Sequence, residues 1–446
     1  IFGAPAAPAK PKAATARPRA KTGDKATSRD DAIFGGSSPT PTKTPEPSDT
    51  GTEKRLLSRL LDQGQDKLQV GGLLYMRFNL ALTDGDHVDD HTFSMPNLMD
   101  VFLDARPNDR VRAFARGRLL YTPTLNPDAP ALGNTQQDEL VAQLNELWLK
   151  FDLGRRVFVT IGSQRVLWGT TRLWNPVDFV NQSQRPVLNP FDARNGVPMV
   201  KLQVPVESLG WNFYLIGLLD QVSSLDRGGV VGSGEFVFST VEIGLTGAYR
   251  DSLDPRVGLD ISAGVWDLEL VGELALAFDD AYTNNVSVRA SAAAQYTAKV
   301  FDDDMLLAGV EYFYNQQGSD RLDFARLADG SQQFFYIGKH YGAAFVSLPR
   351  PGSWDNWTFT LSAVGNFSDK SFLSRLDVSV TFLTHITIQA FAVAHFGKEG
   401  ELRIGEGIFA DPAALALARA ALYPKEPTRR IPTQVFDLGL WLRVNL

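Results

Sequence analysis

The stretch DRVRAFARGRLLY sets Arg110, Arg112, Arg116 and Arg118 at even positions, with Val111, Ala113, Ala115, Gly117, Leu119 and Tyr121 between them. On an extended chain the two sets face opposite ways. Such an arginine run cannot face lipid, where a cation near the midplane costs about 2 to 4 kcal/mol, so it must face water or a partner. The segment ELWLKFDLG offers the complement: Glu146, Trp148, Lys150 and Asp152 share one face if Leu147, Leu149, Phe151 and Leu153 share the other. Two readings stand side by side. Either the arginines pair across strands into an ion-pair lattice, or they form a selectivity strip for anionic or polar solutes.

Between 161 and 198 lies a connection with Arg165, Arg172, Arg185 and Arg194, the aromatics Trp168 and Trp174, and the acids Asp178 and Asp192. Pro176, Pro186, Pro190 and Pro198 punctuate it, which favours an ordered loop folded inward as a constriction. Tryptophan faces beside Arg and Asp also suit a sugar ring, while the structural alternative is packing of the loop against a wall. In TDGDHVDDH the carboxylates Asp84, Asp86, Asp89 and Asp90, with His87 and His91, gather close enough to suggest a hard cation such as calcium. The spacing lacks the Glu that closes an EF-hand, so a solvated acidic loop is the main alternative. None of the five histidines, His395 included, belongs to a nucleophile motif, and no nucleotide-binding loop is present. The expectation is neither an enzyme nor a cofactor-dependent protein.

The elements that must position these residues are strands. Phe436, Leu438, Leu440, Leu442, Val444 and Leu446 alternate with Asp437, Gly439, Trp441, Arg443 and Asn445, and the same two-residue rhythm runs from about Leu68 onward. Its segments span roughly 10 to 15 residues, against about 5 to 6 in an average soluble strand. Tight connections near 107, 154, 207, 302 and 384 alternate with long polar ones near 83, 123, 165, 315 and 398. Short turns on one side and long loops on the other are expected of a transmembrane barrel. The fold predicted is therefore all-β, a closed antiparallel barrel over 65–446. Direct counting reaches 17 strands, an odd number that such single-chain barrels avoid. With an uncounted strand in 165–206 or 221–249 the total becomes 18, with 16 as the alternative. The last strand should pair with the first to remove the edge. A segment DPAALALARAALYP reads as a short helix, capped by Asp411 with Pro412 in its first turn, in the last long loop.

Residues 1–51 differ in kind. The first 50 hold eight of the 25 prolines and eight basic against five acidic side chains, with few large apolar residues. Such a segment cannot bury enough surface to order itself, so a disordered tail in the periplasm is expected. Ile33 and Phe34 stand out in it as a docking peg for a periplasmic partner, with chance recurrence of Ile-Phe-Gly as the alternative. Residues 52–64, with Thr52 as N-cap and Leu56, Leu57, Leu60 and Leu61 on one stripe, predict a short amphipathic helix. The opening at Ile1 fits a chain whose signal peptide has been removed or that begins inside its gene. The absence of Cys excludes thiol chemistry and disulfides, and the remaining chain has 36 basic against 46 acidic residues, which argues against nucleic acid.

The terminal strand resembles the C-terminal signal by which assembly machinery recognises Gram-negative outer-membrane barrels, although it ends on Leu446 rather than an aromatic residue. The central segment resembles one found in uncharacterised proteobacterial porin-like families, through Gly162, Gln164, Trp168, Gly169, Asn175, Pro176, Asp178, Asn189, Pro190, Phe191 and Asp192. The resemblance implies an outer-membrane location, contact with membrane lipid and with the assembly machinery, and a pore-like architecture. Three functions follow: a pore for small polar or anionic solutes, a conduit for polysaccharide export, or a structural or adhesion component that binds partners through its tail.

Overall fold

The computed structural model describes residues 67–125, 138–181, 187, 194–220, 228–251, 253–278, 286–300, 304–323, 326, 332–409, 411–423 and 425–446. The expected tail with Ile33 and Phe34, the 52–64 helix, Arg185, Asn189, Pro190, Phe191 and Asp192 lie outside the described residues.

Among the described residues the chain forms nineteen strands. They are β1 (Leu68–Thr83), β2 (Thr92–Ser94), β3 (Asn97–Asn108), β4 (Val111–Tyr121), β5 (Leu140–Leu153), β6 (Val157–Gln164), β7 (Val197–Val206), β8 (Trp211–Leu218), β9 (Gly229–Phe238) and β10 (Val241–Arg250), followed by β11 (Leu253–Val265), β12 (Leu268–Phe278), β13 (Val286–Val300), β14 (Asp304–Asn315), β15 (His340–Pro349), β16 (Trp357–Asn366), β17 (Ser371–Phe382), β18 (Ile386–Gly397) and β19 (Gln434–Asn445). Each long strand pairs antiparallel with the next, and β19 returns to β1 in the register Leu73↔Asn445 through Leu82↔Phe436. The sheet is thus closed, with no edge left to pair with another chain.

Eighteen strands span the wall. β2 is a three-residue patch on the upper part of β1, pairing Asn79↔Ser94 to Ala81↔Thr92, where β3 pairs with β1 only from Leu68 to Tyr75. Met95 and Pro96 separate the two pieces, so β2 and β3 fill one place in the barrel. The stretch 221–249 contains β9 and nearly all of β10, with the turn at Ser239 and Thr240 between them, while among the described residues of 165–206 the strand is β7.

Outward side chains form the apolar skin. Val101, Leu103, Leu147, Leu149, Leu215, Leu245, Leu259, Leu361, Leu376 and Leu440 are all exposed. Such a surface is costly in water and favourable in hydrocarbon. Aromatic rings border it at the short-turn end: Trp211 packs on Phe236 and Phe238, and Trp354 on Trp357 and Phe359. Trp266, 99% exposed, stands on the tip of the β11–β12 turn with φ of 56°. Rings in that position anchor a barrel at the head-group level. No described helix is long and apolar enough to cross a membrane.

The β4–β5 pair carries a bulge at Arg116/Gly117, opposite Glu146 and Leu144. The extra residue, Asn145, resets the alternation so that Leu144 and Leu147, three positions apart, both face outward. In the last long loop, helix α1 (Pro412–Leu422) starts where expected, with Asp411 Oδ1 accepting from the Ala413 amide at 2.9 Å.

Candidate functional site: a bore narrowed by an in-folded loop

The connection after β6 folds into the barrel, and two carboxylates hold it there. On β12, Glu273 Oε1 accepts from the backbone amides of Thr170 and Thr171 and from Thr171 Oγ1, while Oε2 accepts from the Val177 amide. On β14, Glu311 accepts from the amides of Leu173 and Trp174. Together they satisfy backbone donors that a loop without regular structure would leave unpaired inside the bore. Gly169 has φ of +95°, and a Cβ there would lie 2.6 Å from Glu273 Oε1. Gly162, with φ of +124°, passes so close to β5 that a Cβ would lie 2.1 Å from the Leu147 carbonyl oxygen. These contacts explain both glycines of the central segment.

The two tryptophans of the loop are packed. Trp174 is 0% exposed, stacks on Phe313 at 5.7 Å and donates its indole N–H to the Phe335 carbonyl at 3.0 Å. Trp168 donates to Thr246 Oγ1 and meets the Tyr214 ring edge-on. Trp148 stacks on Phe114 within the wall. Hence these rings do not offer one shared face to a sugar. Asp178 is buried and accepts from Asn181 and from Arg194 at 3.0 Å. Burial pushes its carboxyl up, while Arg194 and Asn181 pull it down.

Arg112, Arg116 and Arg118 lie on the inward face of β4 while Arg110 sits in the turn before it, and each of the four is paired with an acid. Arg118 and Asp100 form a doubly hydrogen-bonded pair at 2.7 and 2.8 Å, with side chains 1% and 4% exposed. Arg112 shares Asp104 with Arg106, and Arg116 shares Glu146 with Arg165. Arg110 binds Asp152 at the short-turn rim. Phe114 interrupts the run, and Arg112 lies over the Trp148 ring. Lys150 lies over Phe158. The ion-pair lattice therefore describes this wall, and the sharing of Asp104 and Glu146 leaves it with more guanidinium than carboxylate.

A cavity lies elsewhere in the bore, between the loop and the β15–β19 wall. It measures about 360 Å³ and is lined by Arg172 from the loop, Arg375 and Asp377 from β17, Gln389 from β18, Trp441 and Arg443 from β19, and Tyr75 from β1, among others. Arg375 is bound to Asp377 at 2.7 Å and lies over the Phe391 ring at 4.0 Å and the Trp441 ring at 5.1 Å. Arg172 lies over Phe345 at 4.5 Å. A second cavity, of about 370 Å³, sits toward the long loops and also touches Arg375, with His395, Asp437, Phe391 and Glu401 among its walls. His395 is tied to the Leu402 carbonyl and to Asp437. On the far side of the barrel the register turns Glu235, Glu242, Asp260 and Glu269 inward from β9 to β12.

Glu401 closes the upper cavity. It is 4% exposed and accepts from Tyr341, Asn366 and the Phe335 and Ile337 amides. Burial outweighs those bonds and pushes its carboxyl up to about 7.

The acidic loop is held by arginines from the end of the chain. Asp89 and Asp90 bind Arg429, and Asp84 binds Arg430 and the Thr433 amide. The Arg429 guanidinium holds Asp89 below the usual carboxylate range. No group of three metal-capable side chains among Asp84, Asp86, Asp89 and the other described residues converges, and the carboxylates of Asp84 and Asp89 are engaged by arginines. The cations that occupy the loop come from some 340 residues along the chain, which spacing within TDGDHVDDH could not reveal.

Glu273, Glu311 and Glu401 were not singled out from sequence. Glu273 and Glu311 lie on the inward faces of largely apolar strands, whereas Glu401 sits in a charged loop between Lys398 and Arg403, so residue type alone marks out none of the three. Arg375 and Arg443 follow the same alternation, on the face opposite the apolar residues of their strands.

The fold is that of solved porins. The chain superposes on the outer membrane protein OpdK from Pseudomonas aeruginosa with a TM-score of 0.54 at 9% identity, covering 85% of this chain and 99% of that one. A BenF-like porin from Pseudomonas fluorescens Pf-5 gives 0.54 at 10% identity, covering 85% and 98%. Pseudomonas aeruginosa OpdK with vanillate gives 0.51 at 9%, covering 85% and 98%. The sequence matches no protein-family model and no curated protein.

Proposed function

We propose that this barrel is an outer-membrane pore of Gram-negative bacteria that passes small polar solutes and prefers anions. The observation that carries the reading is the lining of the cavity beside the in-folded loop, where Arg172, Arg375 and Arg443 accompany a single carboxylate, Asp377. Fixed guanidiniums in a narrow bore with low-dielectric walls raise the local concentration of anions. Planar delocalised cations also suit carboxylates better than ammonium groups do. The likeness to OpdK, solved with vanillate, a small carboxylate, agrees with this choice. The loop that fills the bore favours small solutes over a polymer, and no observation on the described residues favours a purely structural role.

Liposomes carrying the purified barrel test the reading. Benzoate-sized carboxylates should enter faster than neutral sugars of similar size, and the preference should fall in the R172A/R443A variant. Equal entry of both solutes, unchanged by the substitutions, would overturn it.

A further inference from the structure

The outer skin of the barrel is apolar along β14 to β18 until it nears the long-loop end, where its chemistry changes. There Tyr312, from β14, and His340, from β15, face outward and hydrogen-bond through Tyr312 Oη and His340 Nδ1 at 2.7 Å. Lys339 is exposed, with its Nζ 5.8 Å from the Tyr314 ring centroid, so its ammonium lies on the outer side of the wall. The amides of Lys339 and His340 donate to Ser368 Oγ in the next turn, at 2.7 and 3.0 Å. The Lys398 amide in turn donates to the Lys370 carbonyl at 2.9 Å. Lys339, Lys370 and Lys398 thus occupy one continuous rim, and all three are exposed.

Among the described residues the nearby carboxylates are engaged elsewhere. Asp369 gives its oxygens to Asn366, Ser371 and the Glu401 amide, and Glu399 gives its own to Arg430, Thr433 and the Gly407 amide. No carboxylate pairs with the three ammoniums among the described residues. Just below the rim, Phe367, Phe372 and Phe396 form a ring-to-ring ledge, with centroids 6.0 and 5.7 Å apart.

We propose that this rim is a binding site for the phosphorylated head group of an outer-leaflet glycolipid. Lys339, Lys370 and Lys398 bind its phosphates, Tyr312 and His340 hydrogen-bond its sugar and phosphate oxygens, and the phenylalanine ledge packs the first methylenes of its acyl chains. A cationic rim directly above an aromatic ledge matches, in order, the charged, polar and apolar layers of such a lipid. The proposal rests on the outer-membrane placement argued above, but not on what the bore conducts.

Native mass spectrometry of the full chain in a mild detergent tests it, with added bisphosphoryl lipid A as the probe. The wild type should retain a lipid A molecule, and K339A/K370A/K398A should lower the retained fraction at least about tenfold, close to one order per 1.4 kcal/mol lost. Monophosphoryl lipid A should be retained less, and Y312F/H340A should weaken retention in part. Retained heat-modifiable gel mobility and single-channel conductance confirm that the variants are folded and keep their pore. Equal retention by the triple variant, or retention of dioleoyl phosphatidylglycerol equal to that of lipid A, would overturn the site.

Discussion

Replacing Glu273 by Ala should release the in-folded loop while leaving the barrel intact. The carboxylate accepts from the amides of Thr170, Thr171 and Val177 and from Thr171 Oγ1, the last three at 2.8 to 3.2 Å. A hydrogen bond to a charged acceptor contributes about 1.5 to 3 kcal/mol, and a buried donor left without a partner costs about 1 to 3. Three amides stranded together therefore weaken docking by at least about 4 kcal/mol, a shift of about 10³ in the ratio of docked to released loop. Glu311 and the Trp174–Phe313 stack remain, so release should be intermittent rather than complete. Single-channel recordings in planar bilayers should show brief excursions to a higher conductance in E273A and a near-permanent high level in E273A/E311A. E273Q, which keeps one acceptor oxygen but turns an NH2 donor toward the amide the other oxygen served, should fall between wild type and E273A. Traces from E273A/E311A that match wild type in level and noise would refute the role given to these two carboxylates.

Other consequences can be checked directly. Arg118→Ala leaves Asp100 buried without its partner and should cost about 3 to 5 kcal/mol, read as a lower midpoint for loss of heat-modifiable mobility. Arg118→Met with Asp100→Leu should recover most of that loss. The raised pKa of Glu401 makes the folded loops bind a proton more tightly than the unfolded chain. The contribution of Glu401 to stability is therefore fully present below about 4.5 and is lost as pH rises toward and past about 7, by about 3 kcal/mol in all. After correction for intrinsic rates, amide exchange at Phe335 and Ile337 should be faster at pH 8 than at pH 5, and E401Q should remove the difference.

Much of the architecture could be read in the chain because the period of two is a local property. Alternation from Leu68 onward placed the strands, and the terminal rhythm of Phe436 to Leu446 implied the β1–β19 closure that the register displays. The inward face of Arg112, Arg116 and Arg118 followed from the apolar residues between them. The Asp411–Pro412 start of α1 was equally local. What alternation could not supply was partnership. Whether Arg118 meets Asp100 or a solute depends on the neighbouring strand's register, and Arg429 reaches Asp89 only after the barrel closes. The Asn145 bulge was hidden because it breaks the very rhythm used to read the strand. Glu273 acts on a loop about 100 residues earlier, through backbone amides whose positions no residue type announces.

Ion selectivity is the most direct test of a cation-lined bore. Reversal potentials of the purified barrel across a tenfold potassium chloride gradient should report a preference for chloride, one that weakens with rising salt as screening shortens the reach of Arg172 and Arg443 and that shrinks in R172A/R443A. A bore selective for potassium, or a selectivity that the double substitution leaves untouched, would contradict the account.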